Sequence, residues 1–118
     1  MATADQKTAF VTGASSGIGR ATAEAFVRRG YATILVDYEE AAGRRAVDEL
    51  KALGECRFIR ADVTRDEDVA AAVDQAVAAY GRLDAAFNAA GISGDAALTG
   101  DQTLENWNAT IAIDVTAA

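Results

Sequence analysis

Residues 12–19 read TGASSGIG, three glycines spaced by four and then two residues, set between the apolar run Ala9-Phe10-Val11 and a segment with helical periodicity. Few patterns restrict a chain more. Glycines at such a junction permit a tight passage from strand to helix and let the backbone approach another group closely. Taken alone, they leave two readings open: a phosphate cradle or a structural turn. The cradle has a mechanism, because a helix begun this way leaves its first-turn amides unpaired and aims the positive end of its dipole at an anion.

The rest of the chain alternates between strand-like and helical patterns. Lys7–Thr12 is a short apolar run that stops at Gly13, and residues 18–29 repeat apolar side chains at 18, 21, 25 and 26, with Gly30 as a C-terminal cap. A second strand, Ala32–Val36, ends at Asp37, and residues 39–53 place Ala46, Val47, Leu50 and Leu53 on one helical face before Gly54. Arg57–Val63 reads as a third strand. Thr64 and Glu67 then have the spacing of a capping box. Val69, Ala72, Val73, Ala76, Val77 and Tyr80 form a single apolar stripe ending at Gly81. Leu83–Asn88 gives a fourth strand, Ala90–Asp101 a loop, and from Thr103 a last helix carries Trp107, Ile111 and Val115 on one side.

Four strands alternating with four helices over short links predict an α/β fold with a mostly parallel sheet covered on both faces. No linker or low-complexity tract divides residues 1–118, so one domain is expected. With 51% hydrophobic residues the chain can bury a core. Its net charge of −7 disfavours nucleic acid as a partner and is read as solvated helix faces. Cys56 is the sole cysteine and there is no histidine, which excludes an internal disulfide and leaves no plausible zinc or iron ligand set. Cys56 itself, within CRFIRADV, reads as an inert packed thiol. There is no apolar run long enough for a membrane span and no leader-like apolar segment at the start, which points to a soluble, cytoplasmic protein.

A second feature favours the phosphate cradle. Asp37 ends the second strand 18 residues after Gly19, close to the offset at which an acidic side chain receives the two hydroxyls of an adenosine ribose. Its charge would repel the 2′-phosphate of NADP. Neither Ser16 nor Tyr38 is basic, so neither offers a cation to hold that phosphate, and the expected cofactor is NAD.

TGASSGIG, Asp37, Asp62-Val63 and NAAG at 88–91, in that order and spacing, resemble the short-chain dehydrogenase/reductase family along the whole chain. The resemblance implies a Rossmann-like, doubly wound fold. It places Gly13, Ser15, Ser16, Gly17, Ile18 and Gly19 along the pyrophosphate and nicotinamide side, Asp62 at the adenine amino group and Val63 against the ring. Asn88 would brace the central strands while Ala89, Ala90 and Gly91 pass under the ribose. The implied reaction is hydride transfer between a nicotinamide and a carbinol or carbonyl carbon, with a small-molecule alcohol or ketone as substrate.

The family's catalytic set is an Asn, a Ser, a Tyr acting as acid/base and a Lys four residues after the Tyr. Here Tyr31, Tyr38 and Tyr80 are followed at that distance by Leu35, Ala42 and Asp84, and the only lysines are Lys7 and Lys51. The resemblance runs from the family's first strand into its fourth helix, so the expected reading is a cofactor-binding half whose Ser, Tyr and Lys lie further on. Asp114 stands at the family's Asn position, either as an altered proton-relay residue or as a structural helix residue, and Trp107 reads as packing. Other readings remain open: a non-catalytic dinucleotide module such as a redox sensor, or an assembly fragment. With the fourth strand at the open side of the sheet, further copies of the chain are expected partners in a homo-oligomer.

Overall fold

A computed structural model describes residues 5–90. Seven elements follow in strict alternation: β1 (Thr8–Thr12), α1 (Gly17–Arg28), β2 (Ala32–Asp37), α2 (Glu40–Leu50), β3 (Cys56–Arg60), α3 (Asp66–Tyr80) and β4 (Ala85–Asn88). The expected fourth helix, the loop before it and the residues Gly91, Trp107 and Asp114 lie outside the described residues.

The four strands form one parallel sheet in the order β3-β2-β1-β4. β1 is buried along its whole length and β2 along all but its last residue, because β-branched and apolar side chains there meet helices on both faces. Alternate residues face opposite sides. Val11 and Leu35 pack with Ala23 and Val27 of α1 and Ala46, Val47 and Leu50 of α2. Phe10, Ile34 and Val36 pack on the other face with Ala72 and Ala76 of α3. The chain steps outward from β1 to β3 with α1 and α2 on one face, then crosses to the far side of β1 with α3 on the other. Reversing direction with an unchanged crossover hand requires that change of face. The result is a doubly wound, Rossmann-like sheet whose strand order reverses between β1 and β4, which opens a crevice at their carboxyl ends.

Several boundaries differ from those read in the sequence. β3 stops at Arg60 rather than Val63, because its last partner in the ladder is Asp37, the end of β2. Asp62 and Val63 therefore leave the sheet. The capping box at Thr64 and Glu67 does not form: α3 starts at Asp66, and its N-cap residue, Arg65, makes no side-chain cap hydrogen bond. The Thr64 hydroxyl instead donates to Asp62 Oδ1 at 2.6 Å, and Glu67 pairs with Arg65 at 2.8 Å. Three acids in the first turn, Asp66, Glu67 and Asp68, complement the helix dipole.

α2 ends at Leu50, so Leu53 falls in the turn beyond it and is exposed rather than buried with Ala46, Val47 and Leu50. Along α3 the stripe is buried only at Ala72 and Ala76; Val73 and Tyr80 pack at the margin, while Val69 and Val77 are exposed. β4 begins at Ala85, and Leu83 stays outside it. Entry into that strand is set by Asp84, whose amide donates to Thr8 O at 2.9 Å while its carboxylate accepts the Thr8 amide at 2.8 Å. Cys56 is buried as expected, with its thiol donating to Val47 O at 3.8 Å.

Candidate functional site

The loop between β1 and α1 lies at the carboxyl ends of β1, β2 and β4. Its glycines have different physical roles. A Cβ at Gly19 would come 2.0 Å from Gly13 O, and one at Gly13 would come 2.7 Å from both the Ala89 carbon and the Ala90 nitrogen, so helix start, loop and the end of β4 meet backbone to backbone. Gly17 has open space beside it but a φ of +59°, which an L side chain rarely adopts.

Hydrogen bonds tie this loop to both neighbouring strands. The Ala14 amide donates to Val36 O at 3.2 Å on β2; the Ala89 amide donates to Thr12 O at 3.3 Å and the Ala90 amide to Thr12 Oγ1 at 3.4 Å. Ser16, the extended N-cap of α1, makes no side-chain cap bond, and the first turn of α1 contains no acid. In α2 and α3, by contrast, the first turn carries its own carboxylates. Among the described residues the start of α1 thus has no side-chain cap and no acid to offset its positive dipole end, the arrangement that receives a phosphate.

Asp37 closes the site at the end of β2. Its Oδ2 accepts both the Ser15 amide at 3.2 Å and the Ser15 hydroxyl at 2.6 Å, and its Oδ1 accepts the Glu39 amide at 3.0 Å. The carboxylate is therefore fixed against the glycine loop. Ile18, 75% exposed, and Tyr38, 58% exposed, flank the cradle as large apolar surfaces left to solvent. That combination, anion-directed amides beside uncovered apolar side chains, suits an amphipathic nucleotide.

Of the residues expected from the sequence, Gly13, Ser15, Ser16, Gly17, Ile18, Gly19, Asp37, Asn88, Ala89 and Ala90 are brought to this one edge of the sheet. Asp62 and Val63 stand beside it, in the turn that follows the bond from the Ala61 amide to Asp37 O at 3.1 Å. Asp62 is turned inward on that turn: Oδ1 accepts the Thr64 hydroxyl and, at 3.0 Å, the Thr64 amide, which together hold its carboxyl below the usual carboxylate range.

One residue escaped the sequence reading. Arg60, at the end of β3, lays its guanidinium 4.8 Å from the centroid of the Tyr38 ring. Matching the ends of adjacent strands, Asp37 with Arg60, would have found it. A separate hollow of about 490 Å³ opens between α2 and β3 and is lined by Arg44, Val47, Asp48, Lys51, Cys56 and Phe58, among others; it includes no residue of the glycine loop.

The model of a family described as short chain dehydrogenase matches residues 7–118. The chain belongs to the short-chain dehydrogenase/reductase family. Within it, the chain is 37% identical over 114 residues to cyclohexanol dehydrogenase from Acinetobacter sp. (strain SE19), a match covering 96% of the chain and 45% of that protein. Among solved members, a short chain dehydrogenase/reductase from Burkholderia phymatum in complex with NAD aligns with a TM-score of 0.91 and 35% identity, over 96% of the chain and 40% of the other. Actinorhodin polyketide ketoreductase with NADPH aligns with a TM-score of 0.93 and 31% identity, over 99% and 45%. The chain thus spans less than half the length of these relatives. Family members of one fold hold either dinucleotide, so the choice between them belongs to individual side chains.

Proposed function

We propose that the chain binds NAD in preference to NADP in the glycine-loop cradle and forms the cofactor-binding half of an oxidoreductase that interconverts a secondary alcohol and a ketone. The observation that carries this is the Asp37 carboxylate, held by Ser15 beside a start of α1 that has no side-chain cap among the described residues. The backbone contacts at Gly13 and Gly19, which a Cβ would force apart, hold the loop in the shape that turns the start of α1 toward a pyrophosphate. In this reading the α1 amides hold the diphosphate, Ile18 lies toward the nicotinamide, and Val63 and Asp62 border the adenine.

Asp37 receives the ribose diol. Each carboxylate oxygen accepts up to two hydrogen bonds, so Ser15 and Glu39 leave one place on Oδ1. The second ribose hydroxyl would compete with the Ser15 hydroxyl for Oδ2, while the Ser15 amide keeps the carboxylate in place. A 2′-phosphate has no hydroxyl to donate there and brings like charge to the carboxylate.

Bound NAD supplies the hydride acceptor; this chain supplies orientation and charge complementarity. No Tyr-x-x-x-Lys occurs in the 118 residues, so the pure chain is expected to bind cofactor without turning over alcohol or ketone. Turnover above the uncatalysed background would overturn that part. Among the described residues no helix is long and apolar enough to cross a membrane; the mostly exposed β4 supports self-association.

Calorimetric titration of NAD and NADP into the wild-type chain and Asp37→Ala tests the cofactor assignment. Removing hydrogen bonds to a charged group, each worth about 1.5–3 kcal/mol, should weaken NAD at least tenfold while NADP gains. An unchanged NAD-to-NADP preference would show that Asp37 is not the selector.

A further inference from the structure

Asp37 and Arg60 are the last pair in the β2–β3 register. Two residues earlier in the same ladder, Leu35 and Phe58 both face the α1–α2 core, so by strand alternation Asp37 and Arg60 share that face. Neighbouring strands lie about 4.8 Å apart, so the two side chains leave the sheet from adjacent points. Nevertheless they engage different partners. Asp37 is held by Ser15 and the Glu39 amide, and Arg60 stacks on Tyr38, the residue that immediately follows Asp37. The guanidinium is exposed and is not neutralised by Asp37. A cation therefore leaves the sheet next to Asp37, over the Tyr38 ring, with Asp62 in the following turn as a further carboxylate within reach of its charge.

We infer that Arg60 is a specificity-determining residue of the cofactor site, supplying next to Asp37 the cation that a ribose 2′-phosphate requires. The NAD preference then rests on the charge of Asp37 working against Arg60, and it reverses when that charge is removed. This inference rests on the cradle being the dinucleotide site. It extends that reading, because the residues at positions 16 and 38 offer no cation. Arginine suits the role: its planar fork binds phosphate in a bidentate manner and stacks on an aromatic ring at the same time.

The test is a cycle of affinity ratios. NAD and NADP are titrated calorimetrically into the wild-type chain, Asp37→Asn, Arg60→Gln and the double variant, with circular dichroism to establish that each is folded. Asp37→Asn should raise the NADP-to-NAD affinity ratio at least tenfold in the wild-type background and less than threefold when Arg60 is Gln. Arg60→Lys, which keeps the charge, should restore most of the gain. Equal gains in the Arg and Gln backgrounds, or a Lys variant that behaves like Gln, would overturn the assignment to Arg60 while leaving the cradle intact. A ratio that Asp37→Asn moves in neither background would instead sink the ribose reading of Asp37 and Arg60 with it.

Discussion

At the scale of single residues, the site depends on atoms that are missing. Gly19 packs its α-carbon against the Gly13 carbonyl, and a methyl group there would sit 2.0 Å from that oxygen, with only backbone available to move. Gly19→Ala should therefore cost about 1–3 kcal/mol through overpacking and abolish NAD binding. Gly17→Ala meets open space, and its cost, about 1–2 kcal/mol, arises from holding a side chain at positive φ. Urea midpoints combined with NAD titration separate the two, since the first variant should lose binding even when folded. Thr8 makes the opposite case. Its hydroxyl is fully buried and has no partner among the described residues. Replacing it with the isosteric Val should stabilise the chain by about 1 kcal/mol, read as a higher urea midpoint at unchanged slope.

At the scale of elements, order and type were legible in the sequence, while ends were not. Periodicity reports which residues face a core, and it located β1, β2, α1 and α3 to within a few residues. Ends are set by partners that lie elsewhere in the chain. β3 stops where β2 runs out, and α3 starts late because Asp62 takes the Thr64 hydroxyl that would have capped it. The site divides in the same way. The glycine loop and Asp37 are contiguous signals with a known offset, whereas Arg60 joins them only through the register of two strands 23 positions apart, as Asp37 and Arg60 stand. The same edge strand shows how it is kept from pairing with another sheet. Arg44 covers Phe58, Arg57 covers Tyr80 and Arg60 covers Tyr38, so charge lies over each aromatic along β3 and its neighbours. Replacing Arg44 and Arg57 together by Thr should lower the concentration at which the chain associates, measured by sedimentation, with little change in its urea midpoint.

At the scale of the whole molecule, ionisable groups set a pH window for stability. Glu24 is held below the usual carboxylate range by Arg20 and Arg28, Glu67 by Arg65, and Asp84 by Arg82 and the Thr8 amide. A carboxyl whose value is lower in the folded chain favours folding above its unfolded value, near 4, and that contribution is lost as the pH falls through the folded value. On the alkaline side the sign reverses. Burial first, then the hydrogen bond to Glu55, raises Tyr80 well above its ordinary value of 10.0, and burial raises the Cys56 thiol above 9.0. Each favours folding below its unfolded value, and that advantage fades as the pH climbs past it. The melting temperature should therefore be nearly flat from about pH 6 to 8.5 and fall on both sides. Tyr80→Phe distinguishes the limbs: it removes a hydrogen bond of 2.8 Å from hydroxyl to Glu55 Oε2, lowering the plateau by about 1 kcal/mol. It also removes a group that resists ionisation in the folded chain, so the decline above pH 10 should become shallower while the acid limb keeps its shape. An alkaline limb equally steep in the variant would show that Tyr80 does not couple folding to pH.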